Sequence, residues 1–147
     1  MARVEFDIDS ELPPQRIIDA LTDFTERRPE IWPGLSAKEY EVYEVGDKAA
    51  VVREGNGGQI WAKERYDWSE PGVVRWEVLE SGFCEPGSFV QAEIKPKGTG
   101  SEVHVTWQRV PTTFAARLIM GLIVMTRGAP VKGSLKKGFD RIAKLPG

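Results

Sequence analysis

Apolar and polar positions alternate strictly over residues 3–9, with Val4, Phe6 and Ile8 on one side and Arg3, Glu5, Asp7 and Asp9 on the other. A period of two predicts a half-buried strand. Ser10 can cap a helix after this strand, and Pro13-Pro14 suits a helix start. Ile17, Ile18, Leu21 and Phe24 then recur at helical spacing, predicting an amphipathic helix to about Arg28, where Pro29 and Trp32-Pro33-Gly34 end it. Residues 38–45, 49–53, 59–68, 73–80, 88–95 and 102–110 read as strands, separated by turns such as Gly55-Asn56-Gly57-Gly58 and Ser69-Glu70-Pro71-Gly72. Connections this short make sequential strands neighbours in one antiparallel sheet.

The last third changes character. Leu118-Ile119-Met120-Gly121-Leu122-Ile123-Val124-Met125 has no polar face at any helical period. A helix apolar all the way round is expected to be buried all the way round. Arg117 and Arg127 bracket the run, leaving it far short of the ~20 apolar residues of a membrane span. Thr112-Thr113 offers a cap for a helix starting near Phe114, and Gly128 and Pro130 should kink or break it. Beyond Pro130, Leu135, Phe139, Ile142 and Leu145 form one apolar stripe, and Lys132, Lys136, Lys137, Arg141 and Lys144 cover the rest. The expectation is an α+β domain spanning residues 1–147, its curved sheet wrapped around the apolar C-terminal helix.

Alternation also nominates the face turned toward that helix. It selects Val103, Val105 and Trp107 on the last strand, Val90, Ala92 and Ile94 on the one before, and Val74, Trp76 and Val78 before that. On the long strand, apolar count selects Ile60, Ala62, Glu64, Tyr66 and Trp68. That choice brings Glu64 and the Tyr66 hydroxyl inside, where polar groups need partners.

Composition narrows the chemistry. A chain of 147 residues buries ~68–70% of its unfolded surface without staples. A net charge of -2 gives no electrostatic case for nucleic acid. The single cysteine, Cys84, forms no internal disulfide, and residues 1–7 lack the apolar core of a signal peptide, so a cytoplasmic protein is expected. The one histidine, His104, points outward by alternation, without a partner for a nucleophilic triad. One His and one Cys leave only carboxylates for a metal, and none is expected. Gly55-Asn56-Gly57-Gly58 matches no nucleotide fingerprint and joins strands, so it reads as a hairpin turn and no cofactor is expected.

The order of elements, together with Trp32-Pro33 after the first helical segment, the turn from Asp67 to Pro71, and Gly100-Ser101-Glu102-Val103-His104-Val105-Thr106-Trp107, resembles the START-like, Bet v 1-like helix-grip superfamily. Within it the chain looks most like bacterial polyketide cyclase/dehydrase-type proteins. The resemblance spans residues 3–145 and rests on structural positions; the Gly128-Ala129-Pro130 break departs from an uninterrupted terminal helix. It implies a cavity between sheet and helix suited to apolar or aromatic small molecules. Fold alone does not choose among carriers, receptors and enzymes.

Three functions remain open. The first is binding of an apolar or aromatic small molecule by Trp76, Val78, Val90, Trp107, Met120, Ile123 and Val124. The second is a cyclase or dehydratase in which Glu64 and Tyr66 act as acid or base, burial raising the Glu64 pKa. Against it, Glu64 can instead pair with Arg75 or Arg109 while the aromatics fill the core. The third is an interaction domain with a filled core. Membrane contact is expected only as a peripheral event, through the basic C-terminal helix.

Overall fold

Period two in the first strand becomes burial: in β1 (Ala2–Ser10), Ala2, Val4, Phe6 and Ile8 are buried and the residues between them exposed. The computed structural model describes residues 1–145. After β1 come α1 (Pro14–Leu21), α2 (Arg28–Ile31) and a single 3-10 turn at Ala37–Glu39. Six strands come next: β2 (Glu41–Val45), β3 (Ala49–Gly57), β4 (Ile60–Asp67), β5 (Val73–Ser81), β6 (Phe89–Lys97) and β7 (Gly100–Arg109). Helices α3 (Phe114–Met125) and α4 (Ala129–Ala143) complete the chain.

The strands form one curved antiparallel sheet in the order β1-β7-β6-β5-β4-β3-β2. Five sequential pairs make a meander, and β1 closes against β7 in continuous register from Ala2–Arg109 to Ser10–Ser101. Irregularities at Val42/Glu44, Gly55/Gly57 and Lys63/Glu64 add local bends. One face gathers a continuous apolar layer, with Trp107 opposite Val4 and Val90, and Trp76 opposite Tyr66 and Val90.

Three local expectations change. The helix expected to run to Arg28 stops at Leu21, because Asp23 Oδ1 accepts from the backbone N–H and hydroxyl of Thr25 at 2.9 and 2.6 Å and turns the chain. Residues 38–45 split into the 3-10 turn and β2, an edge strand exposed along its whole length. The strand expected to end at Arg53 continues to Gly57, which adds Glu54 to the inner face. Gly55 permits that continuation: a Cβ there would lie 2.6 Å from the Ile60 carbonyl oxygen.

The largest correction concerns the apolar helix. Of the two C-terminal helices it is α4 that enters the core, contributing Phe139 and Ile142 with Leu135 packed against it; α1 also builds that core. Helix α3 lies against the edge strand β1 and buries only Ala116 and Met120. Leu118, Ile119, Leu122, Val124 and Met125 are exposed. Arg127 and Gly128 adopt successive left-handed conformations (φ 56° and 82°), and the two helix axes diverge by 79°. Gly128 packs on Phe6, where a Cβ would come within 2.9 Å of the ring. A side chain is excluded there on both counts. Pro130 sits in the first turn of α4, where its missing N–H costs nothing.

Helix α4 is tied to the other helices by polar contacts. Arg16 of α1 donates to the Ile142 and Leu145 carbonyls at 2.7 and 3.1 Å, and Arg141 donates to the Glu30 carbonyl at 3.3 Å. Gly138 marks the closest approach: a Cβ would lie 2.3 Å from the Trp32 ring, whereas one on Gly133 would meet nothing within 4 Å. Two alanine substitutions in one helix should therefore move stability in opposite directions. Gly133→Ala should stabilise by ~0.5–1 kcal/mol through helix propensity. Gly138→Ala should destabilise by ~1–3 kcal/mol, because overlap with the ring exceeds the same propensity gain. Thermal unfolding of the two proteins side by side checks this, at ~2–4 °C per kcal/mol.

Candidate functional site

The inner face of β3 and β4 carries two carboxylates among apolar neighbours. Ala50, Val52 and Glu54 share one row, and Ala62, Glu64 and Tyr66 the next, with Val52 opposite Glu64. Each carboxylate meets an arginine from a different element.

Glu54 is met by Arg28 at the start of α2. Arg28 is 2% exposed; its Nε donates to Glu54 Oε2 at 3.0 Å and its Nη1 to the carbonyls of Leu21 and Asp23, both at 3.0 Å. Its guanidinium lies 4.5 Å from the Phe24 ring centre and 4.9 Å from that of Tyr66. The Tyr66 hydroxyl donates to Glu54 Oε1. Burial works against the Arg28 charge, yet the pairing with Glu54 outweighs it and holds the pKa above its ordinary value. Burial, with Glu54 adjacent, pushes the Tyr66 hydroxyl well above its ordinary range. Tyr66 is further fixed by stacking on Trp76 (centroids 5.3 Å apart, planes 15° apart) and by the edge contact of Phe24 at 5.0 Å.

Glu64 is less completely met. Arg109 Nη2 lies 3.7 Å from Glu64 Oε2, close enough to attract but too far for a hydrogen bond. Among the described residues, Glu64 Oε2 and Trp32 Nε1 are buried polar atoms without a hydrogen-bond partner. Burial pushes the Glu64 carboxyl up to about 7; Arg109 opposes the shift and Glu54 adds to it.

These groups line one cavity of about 280 Å³. Leu21, Arg28 and Trp32 form its helical side, and Glu54, Ala62, Glu64, Tyr66 and Trp76 its sheet side. Phe83, Arg109 and Leu135 close the flanks, with Pro33, Gly34, Leu35 and Trp61 around them.

Of the residues singled out in the sequence, Glu64, Tyr66 and Trp76 stand on the cavity wall. Val78, Val90 and Trp107 are core residues of the same sheet face and do not line it. Met120 and Val124 of α3 border a separate surface depression beside Met1 and Ala2, and Ile123 packs half-buried on the core. Their displacement follows from the outward position of α3. Sequence reasoning misses Arg28, Glu54 and Trp32 as site residues. Alternation from Ala50 through Val52 reaches Glu54 only if the strand is carried past Arg53. Arg28 carries no signal of its own, since its burial is set by the Asp23–Thr25 turn. Elsewhere, Cys84 is buried beneath the rim and donates to Ser81 Oγ at 3.4 Å. His104 lies on the outer face, Nδ1 2.8 Å from Asp7 and Nε2 3.0 Å from Glu5, and these contacts raise its pKa.

The raised Glu64 pKa makes stability depend on pH. Between about 4.5 and about 7 the unfolded chain has released the Glu64 proton and the native protein keeps it. Native stability therefore falls as pH rises through that window, by roughly 1.4 kcal/mol per pH unit at most from this group. In Glu64→Gln that contribution should vanish. Urea unfolding at intervals across the window should show a wild-type decline that is shallower in the variant; His104 titrates in both proteins and cancels in the difference.

Comparison with known proteins places this geometry. The sequence model of a family described as "Polyketide cyclase / dehydrase and lipid transport" matches residues 1–145, and the chain belongs to that family. No curated protein matches. Among solved structures, TTHA0849 from Thermus thermophilus superposes with a TM-score of 0.75 at 18% identity, covering 96% of this chain and 97% of the other. The Zhui aromatase/cyclase from a Streptomyces species gives 0.73 at 18% identity, covering 97% and 93%. Ara h 8.0201 gives 0.63 at 16% identity, covering 95% and 93%. The fold is the helix-grip arrangement of Bet v 1-like proteins.

Proposed function

We propose that this member of the family binds a small molecule with an apolar or aromatic body and one oxygen function in the cavity between sheet and helices. The observation that carries the reading is the Glu64 carboxyl, buried on an aromatic wall with Oε2 unpartnered. A buried polar atom left unsatisfied costs free energy that a ligand hydroxyl or carbonyl recovers. Trp32, on the helical side of the same cavity, carries an unpartnered donor, Nε1. A volume of about 280 Å³ lies at the small end of ligand sites, which favours a one- or two-ring molecule over a diacyl lipid. It also speaks against a completely filled core. Arg28 and Glu54 satisfy each other and act as a rigid polar end rather than as free ligands.

A second reading has its own support. A carboxyl with its pKa near 7 is poised to give or take a proton at neutral pH. That favours proton transfer at a carbon or oxygen of a ketone-bearing substrate, as a cyclase or dehydratase requires. Tyr66, tied to Glu54 and held well above its ordinary pKa, serves this reading as a positioning residue for the aromatic wall. A rate that titrates near pH 7 and disappears in Glu64→Gln would favour catalysis over binding alone.

The binding reading is tested with naphthalene and 2-naphthol, which differ by one hydroxyl. Isothermal titration should give about tenfold tighter binding of 2-naphthol, the equivalent of ~1.4 kcal/mol. Glu64→Leu should erase that preference, and Ala62→Leu, which places side-chain volume in the cavity, should weaken both ligands. Equal affinities in the wild type, or a preference that survives Glu64→Leu, would remove Glu64 from the site.

A further inference from the structure

We infer that α3 is a docking helix that seats this protein on the surface of an anionic lipid bilayer. The inference is independent of what the cavity binds, and it rests on a different part of the molecule.

Along α3, Phe114, Leu118, Leu122 and Met125 are spaced so that they share one side of the helix, opposite the buried Ala116 and Met120. Their exposures are 74, 57, 60 and 79%. Soluble proteins scatter single apolar residues over their surfaces; a contiguous apolar stripe running the length of a helix marks an interaction face. The exposure is built into the chain. The left-handed pair Arg127-Gly128, with Gly128 held against Phe6, turns α3 away from α4 and presents its outer side.

Charge selects the occupant. Between Phe114 and Phe139 the sequence has no acidic residue and five basic ones, Arg117, Arg127, Lys132, Lys136 and Lys137, in a chain whose net charge is -2. Arg117, beside the first turn of the apolar stripe, and Arg127, just beyond its last residue, are both exposed. An apolar face flanked by arginines matches the boundary between acyl chains and anionic headgroups. A second copy of this chain fits less well, because pairing two such faces would bring basic groups of the same sign together. Insertion across the bilayer is also disfavoured: among the described residues no single helix is long and apolar enough to span, and α3 and α4 diverge by 79°.

The test is co-sedimentation of the full chain with phosphatidylcholine vesicles, with and without phosphatidylglycerol. Binding should be at least about tenfold stronger with the anionic lipid and should weaken as salt screens the contact. Leu118→Glu combined with Leu122→Glu should lose binding at least tenfold with an unchanged melting temperature, since both positions are exposed. Arg117→Gln with Arg127→Gln should lose most of the preference for anionic lipid. As a gain-of-signal check, the indole of Leu122→Trp should shift its emission to the blue on adding anionic vesicles. Failure to sediment with anionic vesicles would overturn the proposal, as would undiminished binding by the double glutamate variant. So would a dimer in analytical ultracentrifugation that dissociates in that variant while vesicles are ignored, which would make the face a contact between copies.

Discussion

One guanidinium joins the two layers of this protein where the cavity forms. Arg28 reaches from the start of α2 to Glu54 on β3, donates to the Leu21 and Asp23 carbonyls, and lies against the rings of both Phe24 and Tyr66. A buried ion pair adds little when complete, but removing one partner strands a charge at a cost of about 3–5 kcal/mol. The consequence is specificity of place. The α1–α2 turn can settle on the sheet only where Glu54 emerges, and Glu54 is in turn held by Tyr66, which stacks on Trp76. The cavity wall is thus an interlocked set, in which the Phe24 and Tyr66 rings lie against the Arg28 charge and Trp76 stacks on Tyr66.

Glu64 shows the other side of that arrangement. It shares the inner face with Glu54, yet its arginine stops 3.7 Å away. One carboxylate is neutralised and hydrogen-bonded; the other is buried, repelled by the first and incompletely paired. Burial, with Glu54 nearby, is what raises the proton affinity of Glu64. A structural ion pair gains nothing from being left open. A binding or proton-transferring group does.

The strand meander was legible because alternation and turn residues agree along nearly its whole length. From Val73 onward the expected and observed strands differ by at most two residues at either end. Glu64, Tyr66 and Trp76 were reachable by the same rule. The rule failed where the side chain of one residue decides another's place. Asp23 capturing Thr25 splits one helix into two, and Gly55 carries a strand through what reads as a turn. The apolar run of α3 misled for a different reason. Hydrophobicity reports that a surface must be covered, not that this chain covers it. The break at Gly128 was visible in the sequence, but its direction depends on Phe6, more than a hundred residues away.

That break divides labour between two helices. Helix α4, whose stripe is narrower and flanked by lysines, enters the core; α3, apolar on every side from Leu118 to Met125, is left outside on the edge strand. The chain leading into α3 is stitched to the cavity's rim: the Thr112 N–H donates to the Phe83 carbonyl at 3.0 Å, and the Glu85 N–H to the Val110 carbonyl at 2.8 Å. Phe83 lines the cavity, and Arg109, two residues before Pro111, lies over its ring while facing Glu64. The exposed helix and the incompletely paired carboxyl are therefore joined through a short run of hydrogen-bonded backbone. The chain that leads into α3 is the same chain that positions Arg109 opposite Glu64.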